Sequence, residues 1–174
     1  MTDMIAAILV VSILPLGLAL AAVSDLFTMT IPNRISAALV AFFLVLAPLI
    51  GLAWFDIGMS LVAGLSVFAV CFSLFAMNVM GGGDAKLLTA SAVWFGFTHS
   101  LLVFLVAVGF VGGAVTLVFL FLRASANSVM AMGVPLPASM VTAKKIPYGI
   151  AIAIAGFLTF DQSPLYLLAS GLLN

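Results

Sequence analysis

Two aspartates carry the chemistry this sequence has to offer. The chain holds only five acidic residues, all aspartates, against five lysines and arginines in 174 positions. Asp25 closes an apolar run that begins at Met4, and Asp84 opens another inside "GGGDAKLLTA". Two further apolar runs separate them, so no single helix pairs them, yet two crossings between them return the chain to the same face. Carboxyls brought within a few ångströms cannot both ionise cheaply; one keeps its proton and the pair titrates as a unit. Such a dyad can hydrolyse a peptide without metal or covalent intermediate. The ionised member takes a proton from water while the protonated member polarises the carbonyl. The same pair is equally suited to pass a proton through a transporter. Taken singly, Asp25 reads as a loop residue and Asp84 as the N-cap of a helix starting at Ala85.

Gly81, Gly82 and Gly83 bear on that choice. Three glycines in series are costly in a helix, and the apolar run after them, Ala85 to Phe97, is short of the ~20 residues of a full crossing. A non-helical approach that dips into a bundle accounts for both, because irregular backbone at membrane depth survives only against protein or a water-filled cavity. A flexible turn is the plainer alternative. Asn78 reads as a helix-end amide.

The elements that must position these groups follow from composition. The chain is 66% hydrophobic and 6% charged, where a soluble domain carries roughly 25% charged residues. The expectation is an all-α, polytopic membrane helix bundle of about six transmembrane helices, a single membrane-embedded domain over 1–174. The runs are 4–24, 35–54, 57–77, 85–97, 100–122, and a last one from Pro147 that ends near Phe160 or, past an interruption at "DQSP", near Leu173. Arg34, Lys86, Arg123, Lys144 and Lys145 all fall on one side of this layout, which makes that side cytoplasmic and puts the N-terminus outside. Asp25 and Asp84 share the basic side; Asp3, Asp56 and Asp161 do not. A loop over 123–147 is expected to lie along the interface. Zero net charge offers no basic surface to nucleic acid, and the acidic "MTDM" start argues against a cleavable signal peptide. Cys71 stands alone in an apolar run, which leaves no disulfide framework or cysteine-based metal site; no metal or other cofactor is expected.

The remaining polar residues have structural and functional readings side by side. Pro32 and Asn33 end the first loop and start the second span, Asn33 as cap, and this rigid turn would set the depth of Asp25. Lys86 cannot face Asp84 at a spacing of two on a helix; it snorkels to headgroups or guides substrate. Pro147, Tyr148 and Gly149, in "KKIPYGIAIAIAG", interrupt helical hydrogen bonding, and their backbone is a candidate to pair with an extended substrate. His99 reads as an interface residue, and Trp54 and Trp94 as aromatic-belt residues on the outer side.

Three segments then resemble one family. "SDLFTMTIPNRIS" is similar to the first-aspartate motif of the type IV prepilin peptidases, "GGGDAKLLTASAVWFG" to their Gly-x-Gly-Asp motif, and "KKIPYGIAIAIAG" to their late Pro-Tyr-Gly segment. The resemblance runs in family order over residues 24 to 156. It implies a membrane aspartyl endopeptidase with Asp25 and Asp84 as catalytic pair, Gly81, Gly82 and Gly83 as active-site loop, and prepilin-like peptides as partners. It places leader cleavage at the cytoplasmic face of the inner membrane, typically after a glycine. Larger members carry a Cys-x-x-Cys insert and a methyltransferase activity. This chain lacks the insert and resembles the short, peptidase-only type of tight-adherence (Flp-type) pili, with archaeal preflagellin peptidases also related. A small proton-coupled transporter is the rival reading, although no internal repeat supports it.

Overall fold

A computed structural model describes residues 2–125 and 146–173. Most of the expected interfacial loop, including Lys144 and Lys145, lies outside the described residues. The described chain is helical: α1 (Thr2–Thr28), α2 (Asn33–Leu49), α3 (Trp54–Ala76), α4 (Gly82–Phe95), α5 (His99–Ala124), α6 (Tyr148–Thr159), a 3-10 turn (Phe160–Gln162) and α7 (Pro164–Leu173). Each expected apolar run is represented. By length and composition α1, α3 and α5 are able to cross a membrane, and α6 with α7 makes a fourth candidate, bent by 58° at the break. That break fits "DQSP": Ser163 Oγ accepts the Tyr166 N–H at 3.1 Å, an N-cap followed by proline at the first helical position.

Of the about six expected spans the fourth is short, as its run of apolar residues implied: α4 has only 14 residues, and α2 has 17. The reason in α4 is its position. It packs against α1, α2, α3, α5, α6 and α7, and nine of its residues are buried, from Ala85 to Phe95. A helix enclosed by other helices does not have to match the hydrocarbon thickness. The protein is a polytopic helical membrane protein built around this short central helix.

Close packing holds α4 in place, since apolar surface gains little from leaving lipid and contact quality decides association. Glycine permits the approach on α3, where a Cβ on Gly64 would stand 2.6 Å from Val93 Cγ2. At the far end Trp94 is buried among Phe43 and Phe160, edge to face at 6.1 and 6.2 Å, and Phe95 stacks on Phe104 at 4.3 Å. Trp94 Nε1 donates to the Leu39 carbonyl of α2 at 3.1 Å. The belt reading of Trp94 is thus corrected: its N–H found a partner inside the bundle, so the whole ring is buried. Trp54 is exposed, as an interface residue would be.

Candidate active site

Asp25 belongs to the buried stripe of α1. Ala7, Val10, Leu14, Leu18 and Ala21 are all buried, at the three- and four-residue spacing of one helix face, and the next member is Asp25, only 5% exposed. The loop reading of Asp25 is overturned, since α1 continues to Thr28. The carboxyl Oδ2 accepts the N–H of Gly149 at 2.7 Å. Gly149 is the second residue of α6, whose N-cap position is held by the buried Pro147. The first-turn amides of a helix lack partners within it, so Asp25 supplies from α1 what a capping side chain would supply locally. The expectation that the backbone here pairs with substrate is corrected for Gly149, whose N–H is already bonded.

The chain leaves α1 through a turn built from hydroxyls. Ser24 Oγ donates to the Thr30 carbonyl at 2.8 Å, Thr28 Oγ1 donates to the Ser24 carbonyl at 2.7 Å, and the Thr28 and Thr30 hydroxyls meet at 2.8 Å. Met29 adopts φ 53°, a left-handed conformation unusual for a side-chain-bearing residue, and its N–H bonds back to the Asp25 carbonyl at 2.9 Å. This reversal returns Ile31 to the interior, where it is buried. Its backbone and Cβ face Gly83, where an added Cβ would stand 3.4 Å from the Ile31 nitrogen and 3.2 Å from its Cβ. Its far end, Cδ1, would lie 3.0 Å from a Cβ on Gly149. Ile31 therefore bridges the glycine beside Asp84 and the glycine bonded to Asp25. Sequence reasoning missed it; its setting between a polar turn and Pro32 was the one available clue.

The three glycines do not form the expected non-helical approach. Gly82 and Gly83 are the first two residues of α4, and Gly81 occupies the cap position with φ −71°. Left-handed backbone falls instead on Asn78, φ 58°, which ends α3 with its N–H on the Phe75 carbonyl at 2.9 Å. What the glycines provide is room on three sides. A Cβ on Gly81 would meet Asp84 Oδ2 at 2.6 Å, one on Gly82 the Phe75 ring at 3.2 Å, and one on Gly83 meets Ile31 as above. Asp84 is consequently not the N-cap but the third helical residue, half-buried, its carboxyl turned back over Gly81. An acid in this first turn faces the positive end of the helix dipole.

Lys86 and Asn33 are brought together: Lys86 Nζ donates to Asn33 Oδ1 at 2.9 Å. Asn33 is not a cap, because α2 begins with it and Pro32 takes the cap position; its side chain instead ties the first turn of α2 to the second turn of α4. Tyr148 lays its ring over α5, where a Cβ on Gly112 would stand 2.7 Å from Cε1. Among the described residues no three His, Cys, Asp or Glu side chains gather where they could hold a metal ion. One end of the bundle thus carries Asp25 on α1, the Asp84 turn on α4, the α6 N-terminus and the Lys86–Asn33 tie.

The family model of the type IV leader peptidases matches residues 12–118. That segment contains Asp25, Pro32, Asn33, the three glycines, Asp84 and Lys86, and stops short of Pro147, Tyr148 and Gly149. No curated protein and no solved structure matches the chain.

Proposed function

The chain belongs to the type IV leader peptidase family, and from that premise we propose that it is an aspartyl endopeptidase using Asp25 and Asp84 to cut the leader from prepilin-like substrates. The observation that carries this reading is the placement of Asp25. A buried carboxyl at the end of a membrane helix is expensive unless it has work and a partner, and this one is held by the Gly149 amide beside the isoleucine that also touches the Asp84 turn. In the reaction, water attacks the scissile carbonyl carbon. One carboxylate accepts the water's proton, the protonated partner hydrogen-bonds the carbonyl oxygen, and a proton passes to the leaving amine as the C–N bond breaks. Gly149 fixes the Asp25 rotamer, so less reorganisation remains when substrate arrives.

The basic residues at the site end, Arg34, Lys86 and Arg123 among the described ones, support reading that end as the cytoplasmic one by the positive-inside rule. A basic leader would there be met before the apolar helix that follows it. Pro32, Asn33, Lys86 and Pro147 act as positioning residues, holding the first turns of α2, α4 and α6 in register, while Tyr148 braces α6 on α5. The test is incubation of the purified protein with a prepilin-like peptide and mass spectrometry of the products. Asp25→Asn and Asp84→Asn are each expected to abolish the cut while still accumulating in the membrane. Normal processing by either variant rejects the dyad, and proton flux lost in both without any peptide cut identifies a transporter.

A further inference from the structure

A cavity of about 270 Å³ lies where α4 ends and α3 and α7 begin. From Asp84 to its C-cap Gly96, α4 rises about 18 Å at 1.5 Å per residue, so the cavity is remote from the two aspartates of the site. Its wall is largely apolar and aromatic: Trp94 is buried at the bottom, while Phe55 and Phe97 are exposed at the rim. Three polar side chains line it, Asp56, Ser60 and Thr98. Thr98 is engaged, its Oγ1 bonded to the Phe95 carbonyl at 3.0 Å and to Ser100 Oγ at 2.7 Å. Ser60 is not. It is only 5% exposed, yet its hydroxyl makes no hydrogen bond among the described residues. A helical serine can donate to the carbonyl four positions back, as Ser66 and Ser73 of the same helix do at 2.8 Å. A buried hydroxyl that forgoes this acceptor is costly unless something in the cavity meets it. Asp56 precedes Ser60 by four residues on α3, which puts both on one helix face. Its exposed carboxylate has no ion-pair partner among the described residues, and no lysine, arginine or histidine lines the cavity.

Helix ends contribute with both signs. The positive end of α3 is met by Asp56 in its own first turn, and at α7 Ser163 Oγ takes the Tyr166 N–H at 3.1 Å. The C-terminal end of α4 reaches the cavity at Gly96 and adds partial negative charge. An electronegative cavity with aromatic walls suits one class of ligand, an ammonium group on a short apolar stem. The carboxylate pairs its charge, the hydroxyl accepts an N–H, aromatic faces attract a cation, and the apolar wall buries carbon. An anion is repelled by Asp56, and a neutral apolar molecule leaves the Ser60 hydroxyl unmet. A bare metal ion lacks ligands, since no three His, Cys, Asp or Glu side chains gather among the described residues. We propose that this cavity binds the ammonium group of a small alkylamine or of a lipid headgroup. The charged nitrogen sits between Asp56 and Ser60, with its carbons against Trp94 and Phe97. The assignment is independent of the leader-peptidase reading.

The chain has two tryptophans, and Trp94 lines the cavity while Trp54 does not, so Trp54→Phe leaves one fluorescent reporter at the site. In the full-length Trp54→Phe protein in non-ionic detergent, n-hexylammonium is expected to change Trp94 emission saturably. The uncharged 1-hexanol should bind about tenfold more weakly or worse. Asp56→Asn and Ser60→Ala, each in that background, should raise the Kd for hexylammonium about fivefold. The comparison of amine with alcohol needs neither variant, so it decides the matter where a substitution fails to fold. Nanodiscs of phosphatidylethanolamine, set against discs of phosphatidylglycerol, which has no nitrogen, distinguish the two sources. An emission difference that Asp56→Asn abolishes assigns the site to a lipid headgroup. Its absence, in a protein that binds hexylammonium, assigns the site to a free amine. No saturable response to hexylammonium, equal binding of amine and alcohol, or an unchanged Kd in Asp56→Asn overturns the proposal.

Discussion

Adding one methyl group to Gly149 should slow the enzyme while leaving it folded. In Gly149→Ala the new Cβ would stand 2.9 Å from Asp25 Oδ2, 3.0 Å from Asp25 Cβ and 3.0 Å from Ile31 Cδ1. Ordinary contact begins near 3.4 Å, so roughly half an ångström must be found against two residues at once, an overpacking that typically costs about 1–3 kcal/mol. Retreat is restricted on both sides. Asp25 is tied to the same residue through a 2.7 Å hydrogen bond, and Ile31 is backed by Gly83. The carboxyl therefore moves relative to the substrate. A displacement of 1 Å costs on the order of 10²-fold in rate, so half that shift predicts a fall in kcat of about tenfold or more. Accumulation in the membrane is expected to be preserved. Cleavage of a prepilin-like peptide, followed by mass spectrometry over a concentration series, separates kcat from KM. Gly58→Ala, where the new Cβ touches nothing within 4 Å, is the control and should be silent. Wild-type kcat in Gly149→Ala would refute the claim that Gly149 positions Asp25.

Gly81→Ala drives a Cβ to 2.6 Å from Asp84 Oδ2 and is expected to lower kcat by a similar factor; a change confined to KM would show that Asp84 is not displaced. The Lys86–Asn33 bond is solvent-exposed, so a double-mutant cycle of Lys86→Met and Asn33→Ala should give a coupling of only about 0.5–1 kcal/mol in unfolding free energy; zero coupling would dismiss the tie between α2 and α4. Trp94→Phe removes the bond to the Leu39 carbonyl at the end away from the carboxyls and should destabilise by about 1–3 kcal/mol with kcat retained, checked by thermal unfolding in detergent beside the cleavage assay. Ser36 Oγ and Thr89 Oγ1 are buried without a hydrogen-bond partner among the described residues, so Ser36→Ala or Thr89→Val should raise the unfolding midpoint, by about 1 kcal/mol in free energy. A fall would reveal bound water at that hydroxyl.

Solvent and layout were legible in the residues themselves. A chain 66% hydrophobic with ten charges has to satisfy its backbone in helices, and the apolar runs marked those helices to within a few residues. Counting crossings also put Asp25 and Asp84 at one end, since that depends only on the number of runs between them. Tertiary structure decided what each polar group does there. Helix bounds at Asp25 and at the glycines were misread because turn signals in sequence are local, whereas α1 is prolonged by packing its Asp25 face and α4 starts early because Phe75 and Ile31 fill the space that side chains would need. Asn33 was freed from capping by Lys86, and Trp94 was drawn from the interface by a carbonyl on another helix. The partner of Asp25 lies on α6, 124 positions away, and no periodicity reaches that far. Composition fixes which groups are too costly to leave alone in lipid; only the packed bundle determines which partner relieves each of them.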